Sequence, residues 1–517
     1  MNKVLKILFG RTFLFLIAIF IQVMFLFFLI TSKQYSSIFI YTLIGILSGI
    51  LSAYIINSKS KDSFKITWIY FILLFPAFGS LFYIYTYSQG WSRKWNKKIQ
   101  NTRKIINEFI ESKQNWFSHK KYMIELKKEN KEIYQLANYI YQSDNYPLYR
   151  NTKINYYCSG EHVFSQILED LGNAKKFIFI EYFIIKNGDF WNSILKILRQ
   201  KVKEGIEVFL IYDGMIEISC LSSSYKKELE SYGIKVLIFN PIMPTLSTIQ
   251  NYRDHRKLII IDNEIGFTGG INLADEYINR IKRFGYWKDN AIRLEGEAVN
   301  SLTLIFSRAW NTNKSKEEIY QFYQKYLIQN NKIKNNSYIL PYGTNPLDGE
   351  PVGERIYQDI LNTARDYVYI MTPYLILDET MISTLCYTAK KGVCVKIIMP
   401  GIPDKKYAFW LAHTYYKELL DYGVEIYQYD KGFVHTKMVI SDNNEAITGS
   451  INFDYRSFYL NFENAVYLYK DESISDMKLD FLQTLKDCTK IKKEYLKNLP
   501  IYEKIFGKIF RLFAPLM

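Results

Sequence analysis

HRKLIIID at residues 255–262 returns 180 positions later as HTKMVISD at 435–442, and this echo decides how the greater part of the chain is read. Each copy is a His-x-Lys followed by an apolar strand that ends on an aspartate. Downstream, Gly269-Gly270-x-Asn272 is matched by Gly449-Ser450-x-Asn452, and Asp289-Asn290-Ala291 by Glu463-Asn464-Ala465. Upstream, the apolar strand FIFIEYFII (177–185) leads to a helix ending KVKEG (201–205) and a second strand at 206–211. Tyr367–Met371 likewise leads to a helix ending AKKG (389–392) and a strand at 393–399. Both copies continue into a helix closed by Tyr-Gly, at 232–233 and 422–423, before a further strand. Glycine is the usual helix stop, and short β-rich runs alternating with helices mark an α/β unit. An internal repeat of this kind predicts two α/β lobes related by a pseudo-two-fold axis, mixed sheets flanked by helices, over 146–330 and 331–517. The polar, Lys/Asn-rich stretch from Asn311 to Asn336 reads as the inter-lobe connection.

The repeated residues suit phosphate chemistry. Side chains at i and i+2 of a strand share a face, so His255 with Lys257, and His435 with Lys437, are expected to look into one site. An ammonium neutralises non-bridging oxygens, as would the carboxamides of Asn272 and Asn452 and the Ser450 hydroxyl, while Gly269, Gly270 and Gly449 let the backbone come close. Asp289 and Glu463 can each bond the far nitrogen of a histidine and set its tautomer. One imidazole attacking phosphorus and a second protonating the leaving alkoxide would divide a transfer into two steps through a phosphohistidine. The nearly symmetric halves do not say which histidine attacks.

The first ninety residues differ from the rest. Thr12–Thr31, Ile38–Ile56 and Ile66–Tyr85 are long, almost uncharged runs, which predicts a membrane-anchor region (1–90) of two to three hydrophobic helices. The first run exceeds a signal-peptide core and no small-x-small cleavage site follows it. The third carries Pro76 and Gly79 at its middle, so a kinked or re-entrant segment is one reading. Basic residues lie before the first run (Lys3, Lys6, Arg11), between the second and third (Lys59, Lys61, Lys65) and after the third (Arg93, Lys94, Lys97, Lys98). Three simple crossings cannot place all of these on one side. Either the third run does not fully cross or the N-terminal tail lies outside; both put the remainder in the cytoplasm. Residues 91–145 form a basic, membrane-proximal helical linker, fit either for an anionic surface or for water.

The 517 residues imply more than one folding unit, and a net charge of +15 favours anionic partners. The apolar N-terminus turns that preference from nucleic acid to an anionic membrane. Five scattered cysteines form neither a Cys-x-x-Cys pair nor a disulfide framework, and no His/Cys spacing suits zinc. No Gly-rich loop ends in Gly-Lys-Ser/Thr, so no nucleotide and no other cofactor is expected. Of the five histidines, His119, His162 and His413 lack Lys or Asn partners and read as structural. The aromatics beyond residue 90 are mostly core, although Tyr407, Phe409 and Trp410 could line a lipid entry path.

His-x-Lys-x4-Asp with a trailing Gly-Gly-x-Asn or Gly-Ser-x-Asn, present twice over residues 150–517, resembles the phospholipase D superfamily. Closer likeness is to the bacterial cardiolipin synthases. It is carried by Asn251–Lys257 (NYRDHRK), Tyr286-Trp287-x-Asp289, Asn452–Phe458 (NFDYRSF), Asn461-Phe462-Glu463, the Leu-Phe-Pro-x-Phe-Gly core of the third apolar run and Phe513–Met517 (FAPLM). Asp254 and Ser450 stand where Asn and Thr are common in that family. The resemblance implies transfer of a phosphatidyl group from one phosphatidylglycerol to another, releasing glycerol. It further implies His255 as nucleophile, His435 as acid, and Asp262 and Asp442 as supports of the motif loops. Water or another alcohol as acceptor is the alternative, which would make the enzyme a membrane-bound phospholipase or a different phosphatidyltransferase. Oligomeric state is not legible.

Overall fold

Pro76 decides how the apolar N-terminal stretch folds. The structure is a computed structural model that describes residues 20, 24, 27, 31, 35–88, 90–112, 118–222, 224–242, 248–327 and 333–516. The chain forms two compact units: Met1–Asn96 with Ile242–Asn251 and Leu512–Met517, and Lys97–Pro241 with Tyr252–Arg511.

In the first unit, α1 (Tyr35–Ile56) is a 22-residue helix without a charged side chain. Its Phe39–Ile56 segment is, among the described residues, the one stretch helical, long and apolar enough to cross a membrane. The predicted first span, Thr12–Thr31, lies outside the described residues apart from Phe20, Met24, Phe27 and Thr31. The predicted third span is two helices, α2 (Asp62–Leu74) and α3 (Pro76–Ser88), each of 13 residues. Proline has no N–H to continue a helix and disfavours helical backbone in the residue before it, so Phe75 leaves the helix (φ −128°, ψ 73°). Each piece is about 20 Å long, short of the roughly 30 Å of a hydrocarbon core. The two fold back on one another: Trp68 packs against Phe82 at 5.9 Å and Tyr83 at 5.2 Å. Gly79 permits the close turn, since a Cβ there would stand 2.9 Å from Ile72 Cα. The third run is therefore a helical hairpin and not a crossing helix, and the multi-pass anchor predicted from three runs is reduced, among the described residues, to one helix of crossing length.

In the second unit the repeat is written in strand order. The first half supplies β1 (Thr152–Tyr157), β2 (Phe177–Tyr182), β3 (Glu207–Asp213), β4 (Lys235–Phe239), β5 (Arg253–Asp254), β6 (Lys257–Ile261), β7 (Ile265–Gly269), β8 (Tyr286–Lys288) and β9 (Ala291–Gly296). The second half supplies β10 (Tyr338–Thr344), β11 (Tyr367–Met371), β12 (Leu375–Ile376), β13 (Cys394–Pro400), β14 (Glu425–Tyr429), β15 (Gly432–Val434), β16 (Met438–Ser441), β17 (Glu445–Gly449), β18 (Phe453–Asp454), β19 (Asn461–Tyr469) and β20 (Cys488–Lys490). One mixed sheet runs β1-β9-β7-β6-β2-β3-β4 and the other β10-β19-β17-β16-β11-β13-β14-β20, the same order with one added edge strand. The central strands are continuous apolar runs because helices cover both faces; all six residues of β2 are buried.

Asp262-Asn263 and Asp442-Asn443 turn β6 into β7 and β16 into β17, all four with left-handed φ (49–59°), the geometry of tight hairpins. Among the described residues, the 91–145 segment carries helices over Gly90–Ser112, His119–Glu129 and Lys131–Asp144. Its apolar side is taken by protein: Phe109 stacks on Tyr323 at 5.0 Å, and Arg308 donates to Asn107. Tyr323 lies on a capped helix, Lys316–Tyr326, inside the stretch read as a polar connection.

Candidate active site

The two halves are joined where they exchange short strands. β5 pairs in parallel with the start of β19, and β8 pairs in parallel with β15. Each exchange ends on a motif histidine. The backbone N–H of His255 donates to Phe462 O at 2.9 Å, and that of His435 donates to Lys288 O at 2.7 Å. The next residue on each partner strand is an acid, and it reaches the same histidine's side chain. Glu463 holds His255 Nδ1 at 2.8–2.9 Å, and Asp289 holds His435 Nδ1 at 2.7 Å. The wiring is therefore crossed, each imidazole being oriented by the carboxylate of the other half. Fixing Nδ1 in this way leaves Nε2 as the free nitrogen of both rings.

Every member of this group is buried, with both carboxylates at 0% exposure. Lys257 and Lys437 each donate Nζ to the backbone oxygen of their own histidine, which keeps the ammoniums beside the rings. Burial draws the His255 pKa down to about 4 against the pull of Glu463, and the His435 pKa to about 3, with Lys437 adding to the effect. Both rings are thus neutral at pH 7. Burial also lowers Lys257 to about 7 and Lys437 to about 8. Burial alone would raise Asp289 and Glu463, yet the adjacent histidines and lysines hold both carboxyls below their ordinary range. Each motif lysine also acts on the other motif's histidine, so the halves share one electrostatic site.

The remaining predicted residues divide. Asp262 accepts from the backbone N–H of Lys175, Lys176 and Phe177 at 2.7–2.9 Å, and Asp442 from Arg365, Asp366 and Tyr367 at 2.7–3.0 Å. They pin the starts of β2 and β11 to the motif hairpins, at the ends of β6 and β16 opposite the histidines. Asn272 accepts from Ile184 N–H and donates to the Tyr277 hydroxyl at 2.8 Å. The Ser450 hydroxyl donates to Asn464 O and accepts from Asn464 N–H. Asn452 is buried, and its Oδ1 meets no protein donor.

The glycines open space for protein, not for a ligand. A Cβ at Gly269 would meet Asn290 O at 2.4 Å, and one at Gly449 would meet Asn464 O at 2.3 Å. At Gly270 it would lie 2.1 Å from Asp289 Oδ1, inside the pair that holds His435.

Several neighbours were not singled out from the sequence. Asn290 donates to Thr448 Oγ1 and Asn464 to Thr268 Oγ1, both at 2.7 Å, a second crossed pair just behind the first. The signal was available, since an Asn follows the acid in both copies. Ser457 and Asn461 donate to Glu463 Oε1. Phe183 packs edge-on to His255, while Tyr277 and Trp287 pack on His435. His119 stacks on Tyr141 and accepts from Leu148 N–H, and His413 sits among Phe409, Tyr416 and Tyr495. His162, on the helix Gly160–Gly172, has Cys158 Sγ beside Nδ1. Among the described residues no group of three or more His, Cys, Asp or Glu is arranged to hold a metal ion.

Comparison with known proteins follows the same lines. The family profile described as "Cardiolipin synthase, PLD-like domain" matches residues 167–310 and 357–485, one segment in each half. The chain is 48% identical to an uncharacterized protein of Streptococcus mutans serotype c, covering 90% of this chain and 99% of that one. It is 30% identical to the cardiolipin synthase of Alkalihalophilus pseudofirmus (92% and 93% covered) and 32% identical to cardiolipin synthase 2 of Bacillus cereus (90% and 90%). In structure it resembles the phosphatidylserine synthase of Haemophilus influenzae Rd KW20, with a TM-score of 0.55 at 15% identity over 74% of this chain and 98% of that one, a likeness of fold.

Proposed function

The chain belongs to the cardiolipin synthase family with phospholipase D-like domains, and from that membership we propose that it transfers a phosphatidyl group between two phosphatidylglycerol molecules. The observation that carries the reading is the crossed pair of histidine–carboxylate contacts, which commits two imidazoles, two ammoniums and two acids from both halves to one buried site. His255 Nε2 attacks phosphorus; the P–N bond forms, the P–O bond to glycerol breaks, and His435 gives the alkoxide its proton. A hydroxyl of the second phosphatidylglycerol then attacks, His435 takes its proton, the P–N bond breaks, and cardiolipin leaves. The assignment of His255 as nucleophile follows the family. No metal or nucleotide enters, because one phosphodiester replaces another.

The charge balance accommodates the one proton this mechanism needs on the histidine pair. Below pH 7, with both lysines charged, two ammoniums, two carboxylates and two neutral imidazoles sum to zero. A phosphodiester brings one negative charge, and the proton that His435 needs as an acid cancels it. Lys257 and Lys437, buried beside the two rings, are the phosphate-binding groups best supported, and Asn452 could join them only through its Nδ2 donor. The Ser450 hydroxyl would first have to give up Asn464 O, whereas Asn272 Nδ2, with one N–H on Tyr277, has a second to offer.

The membrane setting we propose builds on the hairpin. With Thr12–Thr31 and α1 as the two crossings and α2–α3 re-entrant, the basic groups before residue 12, at 59–65 and at 93–98 all lie on one side, the cytoplasmic one. In that arrangement 1–90 anchors, 91–145 joins, and 146–330 and 331–517 form the catalytic lobes. Purified protein given phosphatidylglycerol alone should release cardiolipin and glycerol, identified by mass. Phosphatidic acid would make it a hydrolase, an ester with an added alcohol a different transferase, and no product would refute the substrate.

A further inference from the structure

The C-terminal helix presents an apolar face that no described residue covers. In α5 (Ile501–Phe513), packed on α4 (Lys406–Asp421), Gly507 is the contact; a Cβ there would stand 2.6 Å from Trp410 O. At 3.6 residues per turn, Ile501, Tyr502, Ile505, Phe506 and Ile509 fall on a different arc. They are 75%, 50%, 52%, 46% and 42% exposed. Aromatic contacts extend the patch onto α4: Trp410 packs on Tyr502 at 5.8 Å and Phe506 at 6.1 Å, and Tyr407 on Phe510 at 6.2 Å. Lys504 and Lys508 fall on the apolar arc's other border, Lys504 also donating to Lys497 O, whereas Arg511 turns to α4, donating to Thr414 O and lying over the Tyr415 ring. From Lys490 to Arg511 there are seven basic side chains and two acidic ones.

We propose that α5, with Tyr407 and Trp410 of α4, docks the catalytic unit onto an anionic bilayer surface. An apolar arc, interfacial Trp and Tyr, and a cationic flank together fit the boundary between acyl chains and anionic headgroups. A protein partner would match the apolar arc but gives no reason for the basic excess beside it. The proposal rests on the membrane setting given above and not on the chemistry. It places the catalytic unit flat on the surface that holds its lipid substrates.

The test uses the full chain in phosphatidylglycerol-containing vesicles, with Ile505 replaced by photoreactive benzoylphenylalanine and the exposed Tyr387, outside the patch, replaced in the same way as a control. Illumination should give lipid adducts at 505 in at least fivefold excess over 387. Adducts of 505 with the 12–31 segment or with a second chain, or no excess of lipid over the control, would overturn the proposal. Independently, Ile505→Glu with Ile509→Glu should lower the ratio of turnover on vesicles to turnover on short-chain soluble phosphatidylglycerol by tenfold or more. An unchanged ratio would overturn it. The adducts do not depend on which alcohol accepts the phosphatidyl group, so an error in the proposed reaction leaves that result standing.

Discussion

Glu463→Gln tests the crossed wiring directly, because it changes one atom in the second half and should silence the nucleophile of the first. Glu463 Oε1 accepts from Ser457 Oγ at 2.8 Å and Asn461 Nδ2 at 3.2 Å and lies 2.9 Å from His255 Nδ1, while Oε2 meets the same ring nitrogen at 2.8 Å. An amide in this socket keeps its oxygen toward the two donors and turns its N–H2 to His255. The ring must then accept at Nδ1 and carry its proton on Nε2, the nitrogen that has to attack. In the Ser-His-Asp proteases the matching carboxylate-to-amide change, which enforces the wrong tautomer, reduces turnover about 10⁴-fold, and a loss of about 10³–10⁴ is expected here. At 1.36 kcal/mol per tenfold, that is roughly 4–5 kcal/mol of barrier. The assay is single-turnover conversion of phosphatidylglycerol carrying radiolabelled phosphorus, with acid-labile, base-stable label on the protein as the readout of the phosphohistidine. Both rate and label should vanish while the circular dichroism spectrum and melting temperature stay near wild type. A folded variant that turns over within tenfold of wild type would refute the argument. Retained label with lost release would exchange the roles of the two histidines.

Asp289→Asn, the mirror change, should slow overall turnover by a similar factor but strike the acid, His435, so that leaving-group departure becomes sensitive to alcohol acidity; substrates with more acidic leaving groups should recover most of the rate. Asp262→Ala strands three backbone N–H groups at the head of β2 and should lower stability by about 3 kcal/mol, read as a shift in urea midpoint, with turnover per folded molecule much less affected. Gly270→Ala should cut activity at least a hundredfold, since its Cβ would displace the Asp289 carboxylate, whereas Ser450→Gly in the matching slot should stay within about tenfold. Burial lowers the Lys257 and Lys437 pKa values to about 7 and 8, so both are charged at pH 6 and lose charge as pH rises through those values. KM for phosphatidylglycerol should therefore climb between pH 7 and 9, and a KM flat across that range would count against the two ammoniums as phosphate ligands.

The chain's own pattern of residues carried the repeat, the strands and the candidates for the reacting groups. HRKLIIID and HTKMVISD carry strand periodicity and chemistry in the same eight residues, and Tyr-Gly helix stops fix the units around them. Local pattern could not tell which acid serves which imidazole. His255 and Glu463 are 208 positions apart, and Asp289 and His435 are 146 apart. Only the exchange of β5 onto β19 and β8 onto β15 sets those pairings, through a register that a slip of one residue would reverse. Composition likewise identified Ile66–Tyr85 as apolar enough to cross, but whether it crosses depends on Trp68 closing over Phe82 and Tyr83 around the break at Pro76. Ser450 and Gly270 teach the same lesson from the other side. Their chemistry suits a phosphate, yet the Asn464 peptide and the Asp289 carboxylate already stand against them, because packing assigns polar partners from contacts that have no counterpart along the chain.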